Sequence, residues 1–126
     1  MKVVILDRDG TINHDSDDYM NGQAGHDAMY GGNDDDEMYG LTGNDTMDGG
    51  SGEDEMSGGD NNDSMLGGSM NDDMSGNDGN DWMTGQTGHD TLEGGDGHDL
   101  MYGYTGNDFL GGGDGNDTLS GWDGND

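Results

Sequence analysis

A nine-residue period runs through almost the whole chain and constrains its fold more than any other feature. From residue 13 the sequence divides into twelve complete units without insertion or deletion, and residues 121–126 begin a thirteenth. The units follow the pattern G-G-x-G-x-D-x-U-x, where U is apolar, as in GGDGHDLMY from Gly94 and GGDGNDTLS from Gly112. A fixed short period predicts an architecture in which each unit stacks on its neighbours.

Three places of the unit hardly vary. The sixth is aspartate throughout, the eighth is Met or Leu in every complete unit, and the first is glycine except at Asn13. We expect the glycines of the first, second and fourth places to turn the backbone through positive φ. Three residues should then form a strand in which only the eighth-place side chain faces inward. Two units would make one coil, and stacked coils predict an all-β fold, a parallel β-roll (β-solenoid).

Composition limits what can hold such a chain together and what it can bind. Only 25% of the residues are apolar, there is no cysteine, and 30 acidic residues face two basic ones, for a formal charge of −28. Nucleic acid and anionic membranes are therefore excluded as partners, and cations are favoured. No apolar stretch is long enough for membrane insertion or a signal-peptide core, so we expect any secretion to proceed without such a signal. The same composition is typical of disorder, which leaves an acidic disordered calcium buffer as an alternative.

The aspartates of alternate units should form two rows, one along each edge of the roll. Oxygen ligands in flexible loops favour Ca²⁺ over Zn²⁺. We therefore predict several Ca²⁺ ions as cofactors, and because a few inward Met and Leu side chains cannot offset the entropy of ordering the chain, we expect folding to require them. The predicted metal ligands are Asp27, Asp36, Asp45, Asp54, Asp63, Asp72, Asp81, Asp90, Asp99, Asp108, Asp117 and Asp126, with the backbone carbonyls of Gly43, Gly52, Gly79, Gly88, Gly97, Gly106 and Gly115.

Side chains at other places suggest differences among the sites. The fourth place is not glycine at Ser16, Asp34, Asn61 and Met70. Three of these four loops fall on one edge, so we expect the opposite row, from Asp27 to Asp117, to be better occupied. The fifth-place residues His26, His89 and His98 are interpreted as solvated loop residues. Among the aromatic residues, we expect Tyr19, Trp82, Tyr102 and Phe109 to face outward from strands and Trp122 to lie in a loop.

Residues 13–126 resemble the RTX (hemolysin-type) repeats of bacterial toxins, proteases and lipases that are exported by type I secretion. The resemblance implies a right-handed parallel β-roll that stays unfolded in calcium-poor cytosol and folds outside the cell. By this resemblance the chain is a structural, calcium-binding module of a secreted protein with no catalysis of its own. End-to-end self-association through uncapped coils is a further expectation.

Residues 1–12, MKVVILDRDGTI, form a separate N-terminal segment that departs from the repeat. An apolar strand followed by D-x-D-G-T resembles the first motif of haloacid dehalogenase phosphatases. That resemblance implies Asp7 as nucleophile and Asp9 as general acid/base beside Mg²⁺. The lysine, second acidic pair and alternating strands and helices of such an enzyme are missing from the remainder. We therefore expect no enzyme, and interpret the segment as a strand that caps the first coil or a remnant of a fusion. A truncated or chimeric phosphatase with Asp7 as nucleophile is the alternative.

Overall fold

The computed structural model describes residues 2–5, 11–13 and 18–126, with side chains from residue 19 onward. The described residues form fourteen strands and no helix. The first strand of each coil is β1 (Lys2–Ile5), β3 (Asp18–Asn21), β5 (Glu37–Thr42), β7 (Glu55–Asp60), β9 (Asp73–Asp78), β11 (Thr91–Gly97) or β13 (Phe109–Gly115). The second is β2 (Thr11–Asn13), β4 (Ala28–Asn33), β6 (Thr46–Ser51), β8 (Ser64–Ser69), β10 (Trp82–Thr87), β12 (Leu100–Thr105) or β14 (Thr118–Asp123).

Consecutive strands alternate between two parallel sheets. One seven-stranded sheet contains β1 to β13 in odd order, and the other contains β2 to β14 in even order. Neighbouring repeat strands pair with a shift of two units, as in Met38 opposite Met56 and Met83 opposite Met101. Each coil therefore contributes one strand to each sheet, which confirms the predicted all-β parallel β-roll.

The repeat strands are longer than the three residues predicted. A typical strand such as β5 has six residues and runs from the seventh place of one unit to the third place of the next. Within it Met38 and Gly40 are both buried, because alternation along a strand returns to the same face after two residues. The first-place glycine thus faces inward beside the eighth-place side chain, and the loop is reduced to the fourth, fifth and sixth places.

The core is a single cluster of eighth-place side chains. Its ten fully buried members, each at most 1% exposed, are Met20, Met29, Met38, Met47, Met56, Met65, Met74, Met83, Leu92 and Met101. Leu110 is only partly buried and Leu119 is 40% exposed, so the expectation that every eighth-place residue is buried was wrong for these two. They lie on β13 and β14, the last strands of their sheets, where no further coil covers them.

Among the described residues, positive φ angles occur at the second and fourth places of the unit and not at the first. The second place adopts them even where it is not glycine, as at Leu41, Gln86 and Tyr104, with φ of 76, 79 and 75°. The prediction that first-place glycines serve to reach positive φ was therefore wrong. Their role is to leave space for the aspartate side chain of the same loop, as Gly40 does for Asp45.

Two strands before the repeat array extend the sheets. Strand β1 pairs with β3 and places Val4 opposite Met20, while β2 pairs with β4 and places Ile12 opposite Met29. Apolar residues thus continue the register of the eighth place. Asp7 and Asp9 lie outside the described residues, and the domain boundary between residues 12 and 13 stays a prediction. Within the described residues, no helix has the length and apolar character needed to cross a membrane.

Candidate calcium sites

The sixth-place aspartates form two hydrogen-bonded rows along the edges of the roll. The backbone N–H of each aspartate donates to Oδ1 of the aspartate one coil further on, as from Asp45 to Asp63 and from Asp63 to Asp81, both at 2.8 Å. We call the row Asp27, Asp45, Asp63, Asp81, Asp99 and Asp117 the Asp45 edge. The row Asp36, Asp54, Asp72, Asp90, Asp108 and Asp126 is the Asp54 edge.

These carboxylates are withdrawn from solvent. The ten from Asp27 to Asp108 are each 1–5% exposed, whereas Asp117 is half-buried and Asp126 is exposed. A buried carboxylate is costly unless a cation, a proton or hydrogen-bond donors compensate it. Since Lys2 and Arg8 are the only basic residues besides histidine, the chain cannot supply cationic partners for two rows of carboxylates.

The second carboxylate oxygen, Oδ2, has no hydrogen-bond partner among the described residues in eight of these aspartates. They are Asp45, Asp54, Asp63, Asp72, Asp81, Asp90, Asp99 and Asp108. Each row therefore contains repeated buried acceptors without donors. A bound cation or a proton would satisfy them.

The Oδ2 atoms lie against the first-place glycines of their own loops. A Cβ on Gly40 would overlap Asp45 Oδ2, and it would also come within 2.5 Å of the carbonyl oxygen of Gly58 in the next coil. Around Gly22 the same two kinds of oxygen, Asp27 Oδ2 and the Gly40 carbonyl, are 2.9 and 3.0 Å from the corresponding point. Carboxylate and carbonyl oxygens thus converge where only glycine fits. The first-place carbonyls are not among the ligands predicted from the sequence.

Most of the fourth-place carbonyls that were predicted as ligands point along the stack of coils. The carbonyl oxygens of Gly79, Gly88, Gly97 and Gly106 lie so close to the fourth-place glycine of the next coil that a Cβ there would overlap them. Gly43, Gly52 and Gly115 have the same backbone conformation, with φ of 139, 151 and 147°. Their role as ligands stays a prediction.

Burial changes the acidity of the rows. Desolvation raises the pKa of Asp63 and Asp72 to about 7, and that of Asp81 and Asp90 to about 6. The backbone N–H bound to each carboxylate opposes this rise, and the carboxylates of neighbouring coils add to it. Without a cation, part of each row would therefore hold protons near neutral pH.

A second hydrogen-bond ladder runs through the fifth place in the opposite direction. On the Asp45 edge, Asn80 N–H donates to Asn62 Oδ1 at 2.7 Å and Asn116 N–H donates to His98 Nδ1 at 2.9 Å. His26 and His89 accept from the next coil in the same way, each at 2.8 Å. The fifth-place histidines are exposed, as predicted, but they also replace asparagine as acceptors in this ladder, a role that their position in the repeat could have indicated.

Loops without a fourth-place glycine have a different backbone. Fourth-place glycines have φ between 134 and 155°, whereas Asp34, Asn61 and Met70 have φ of 74, 82 and 85°. The left-handed region is accessible to Asp and Asn but costly for Met. Two of these three loops belong to the Asp54 edge.

The donor set fits a hard cation that accepts backbone ligands. No group of three or more His, Cys, Asp or Glu side chains within the described part of the chain could hold a metal ion by itself. Each site would therefore combine aspartate carboxylates of adjacent coils with first-place or fourth-place carbonyls, an all-oxygen set suited to Ca²⁺.

The profile of the RTX calcium-binding nonapeptide repeat matches the chain in overlapping segments, at residues 14–38, 30–65, 39–74, 66–101, 75–110 and 102–126. Comparisons with curated proteins and with solved structures gave no match. The matched segments together cover residues 14–126 and include both rows of aspartates. The chain therefore belongs to the RTX calcium-binding nonapeptide repeat family.

Proposed function

We propose that this chain is a structural module that binds several Ca²⁺ ions between its coils and folds when they bind. The observation that carries the proposal is the pair of buried aspartate rows, in which Oδ2 of the eight aspartates from Asp45 to Asp108 has no donor among the described residues and converges, as at Asp45 and Asp81, with a carbonyl of the next coil. Bound Ca²⁺ would supply positive charge to these oxygens. The aspartates would bind it from adjacent coils, and the first-place and fourth-place carbonyls would complete the ligand set.

Folding and binding are coupled in this proposal because the charge of −28 opposes the compact state. Each unit contributes only one apolar side chain to the methionine-rich core. The free energy gained by burying these side chains therefore cannot offset the cost of burying ten carboxylates without a cation. We further propose that the module is secreted, by a type I pathway, and folds where calcium is abundant. End-to-end self-association also stays a prediction, to be checked by sedimentation velocity with and without calcium.

The two edges should differ in affinity. On the Asp45 edge the fifth-place ladder is continuous from His26 to Asn116. On the Asp54 edge, Asn71 interacts with Glu53 through its side chain rather than its backbone, directly after the strained Met70. These features support filling of the Asp45 edge first.

Calcium titration followed by far-UV circular dichroism tests the proposal, with magnesium as the control ion. We expect a cooperative gain of β signal with calcium alone. Asp63→Asn should raise the calcium midpoint, since it alters a buried ligand, whereas Asp60→Asn removes the same formal charge from an exposed third-place residue and should change the midpoint little. A flat calcium trace would refute the coupling of folding and binding, and equal midpoints for both variants would refute the assignment of the rows.

A further inference from the structure

We propose that the outer face of the β8–β10–β12 sheet region binds a neutral oligosaccharide. A groove of about 430 Å³ lies there, within the size range of small-ligand sites. Leu66, Trp82, Thr84, Gln86 and Tyr104 line it, together with the third-place threonines of β10 and β12. None of these lining residues is charged, although the chain carries a formal charge of −28.

Aromatic side chains give the groove its apolar surface. Trp82 is 43% exposed and Tyr104 is 39% exposed. Tyr104 stacks on Trp122 with the ring centres 5.3 Å apart and an angle of 19° between the rings. Trp122 is part of β14 rather than a loop, which corrects our sequence-based expectation. The stacking fixes Tyr104, and flat aromatic surfaces of this kind pack against the C–H face of a sugar ring.

One residue that lines the groove, Thr84, has a buried hydroxyl group. Thr84 is only 4% exposed, and its Oγ1 has no hydrogen-bond partner among the described residues. A buried hydroxyl without a partner is destabilising. The oxygen is covered by its neighbours, so a ligand that carries hydroxyl groups would remove this penalty by displacing the side chains around Thr84, whereas a purely apolar ligand would leave it in place.

Gln86 and Tyr104, which line the groove, occupy backbone positions that favour glycine. In this sheet the second place is Gly32, Gly50 and Gly68 in three successive coils, and then Gln86, Tyr104 and Trp122. The last three have φ of 79, 75 and 74°. Non-glycine residues in the left-handed region carry a strain that points to function where it is clustered. Two of these residues, Gln86 and Tyr104, line the groove, and Trp122 stacks on Tyr104.

Other occupants fit these features less well. Strand β10 is paired with β8 and β12 on both sides, so it has no free edge for an added peptide strand. Anionic glycans and nucleic acid are repelled by the negative charge of the chain. A cationic ligand would find no carboxylate in the lining. A neutral sugar chain can stack on the aromatic side chains and form hydrogen bonds with the Thr84 hydroxyl and the Gln86 amide.

The full chain, folded in calcium, should be titrated with cellopentaose and mannopentaose by isothermal titration calorimetry and by tryptophan fluorescence. Trp82→Ala and Tyr104→Ala should weaken binding by about tenfold or more, and Thr84→Val by several-fold. Phe109→Ala is the matched control, because Phe109 is an exposed aromatic residue, 59% accessible, on the other sheet. Circular dichroism verifies that each variant keeps its β signal.

The result expected is saturable binding of at least one neutral pentasaccharide that Phe109→Ala leaves unchanged. Thr84→Val should at the same time leave calcium-dependent folding intact or improve it, because it removes the hydroxyl group without a partner. The absence of saturable binding up to about 20 mM sugar, binding that Trp82→Ala and Tyr104→Ala do not weaken, or binding only of oligogalacturonate or of a cationic peptide would each overturn the proposal.

Discussion

Replacing a first-place glycine with alanine is the sharpest test of the site geometry, and Gly76 is the best position for it. Its φ is outside the left-handed region, so alanine adds no backbone strain there. A Cβ at this position would overlap Asp81 Oδ2 and lie 2.6 Å from the carbonyl oxygen of Gly94. The substitution therefore tests only whether the space beside the carboxylate is required.

The expected loss of stability has two parts. Overpacking a closely packed position costs about 1–3 kcal/mol. A calcium site with a dissociation constant of about 1 mM contributes about 1.4 kcal/mol at about 10 mM calcium, and this contribution is lost if Asp81 is displaced. We therefore expect Gly76→Ala to lower the free energy of unfolding by roughly 2–4 kcal/mol in calcium. Urea unfolding followed by circular dichroism measures it.

Gly111→Ala is the matched control on strand β13. A Cβ there would meet its nearest neighbour, a ring carbon of Phe109, at 3.5 Å, which is an ordinary contact. We expect a change of less than about 1 kcal/mol, and a slight gain because the unfolded chain loses entropy. Equal effects of Gly76→Ala and Gly111→Ala would refute the reasoning. In an Asp81→Ala background, Gly76→Ala should cost less, since one of the two overlapping atoms is gone.

Three further predictions concern the loops and the aspartate rows. Met70→Gly should stabilise the calcium-bound roll by about 1 kcal/mol in urea unfolding by relieving left-handed strain, with a smaller gain for Asn61→Gly, because asparagine tolerates this region; equal gains would contradict this explanation. His98→Leu should destabilise the roll by about 0.5–1 kcal/mol because the exposed Asn116 N–H exchanges its acceptor for water, whereas His98→Asn should keep an acceptor and change stability little; matching urea midpoints for the two variants would contradict the ladder. Without metal, the β signal should rise as the pH is lowered from 8 to 5. This whole range lies above the isoelectric point of about 4.1, so the chain keeps a net negative charge throughout. The raised pKa of Asp63, about 7 in the folded state against 3.8, gives stability that is fully present below pH 3.8 and lost as the pH rises through 7; a metal-free β signal that grows with pH would refute this.

The repeat determined much of this structure from the sequence alone. An unbroken nine-residue phase, with aspartate at the sixth place and Met or Leu at the eighth, specified the coil, the parallel pairing and the two rows of aspartates. These features follow from periodicity because equivalent residues in identical units must occupy equivalent positions in a stack. The core from Met20 to Met101 was predictable for the same reason.

The tertiary structure decided what depends on neighbouring coils. The first-place glycine could be assigned to space rather than to φ only once Asp45 Oδ2 and the Gly58 carbonyl were seen to converge on Gly40. The two opposed ladders, through Asp45 and through His98, also join residues one coil apart, which no single unit specifies. The groove around Thr84 combines side chains of strands β8, β10 and β12, including Gln86 and Tyr104 at the second place, where the repeat pattern has glycine. Sequence periodicity thus fixed the stack, whereas contacts between coils fixed which atoms are left to bind a ligand.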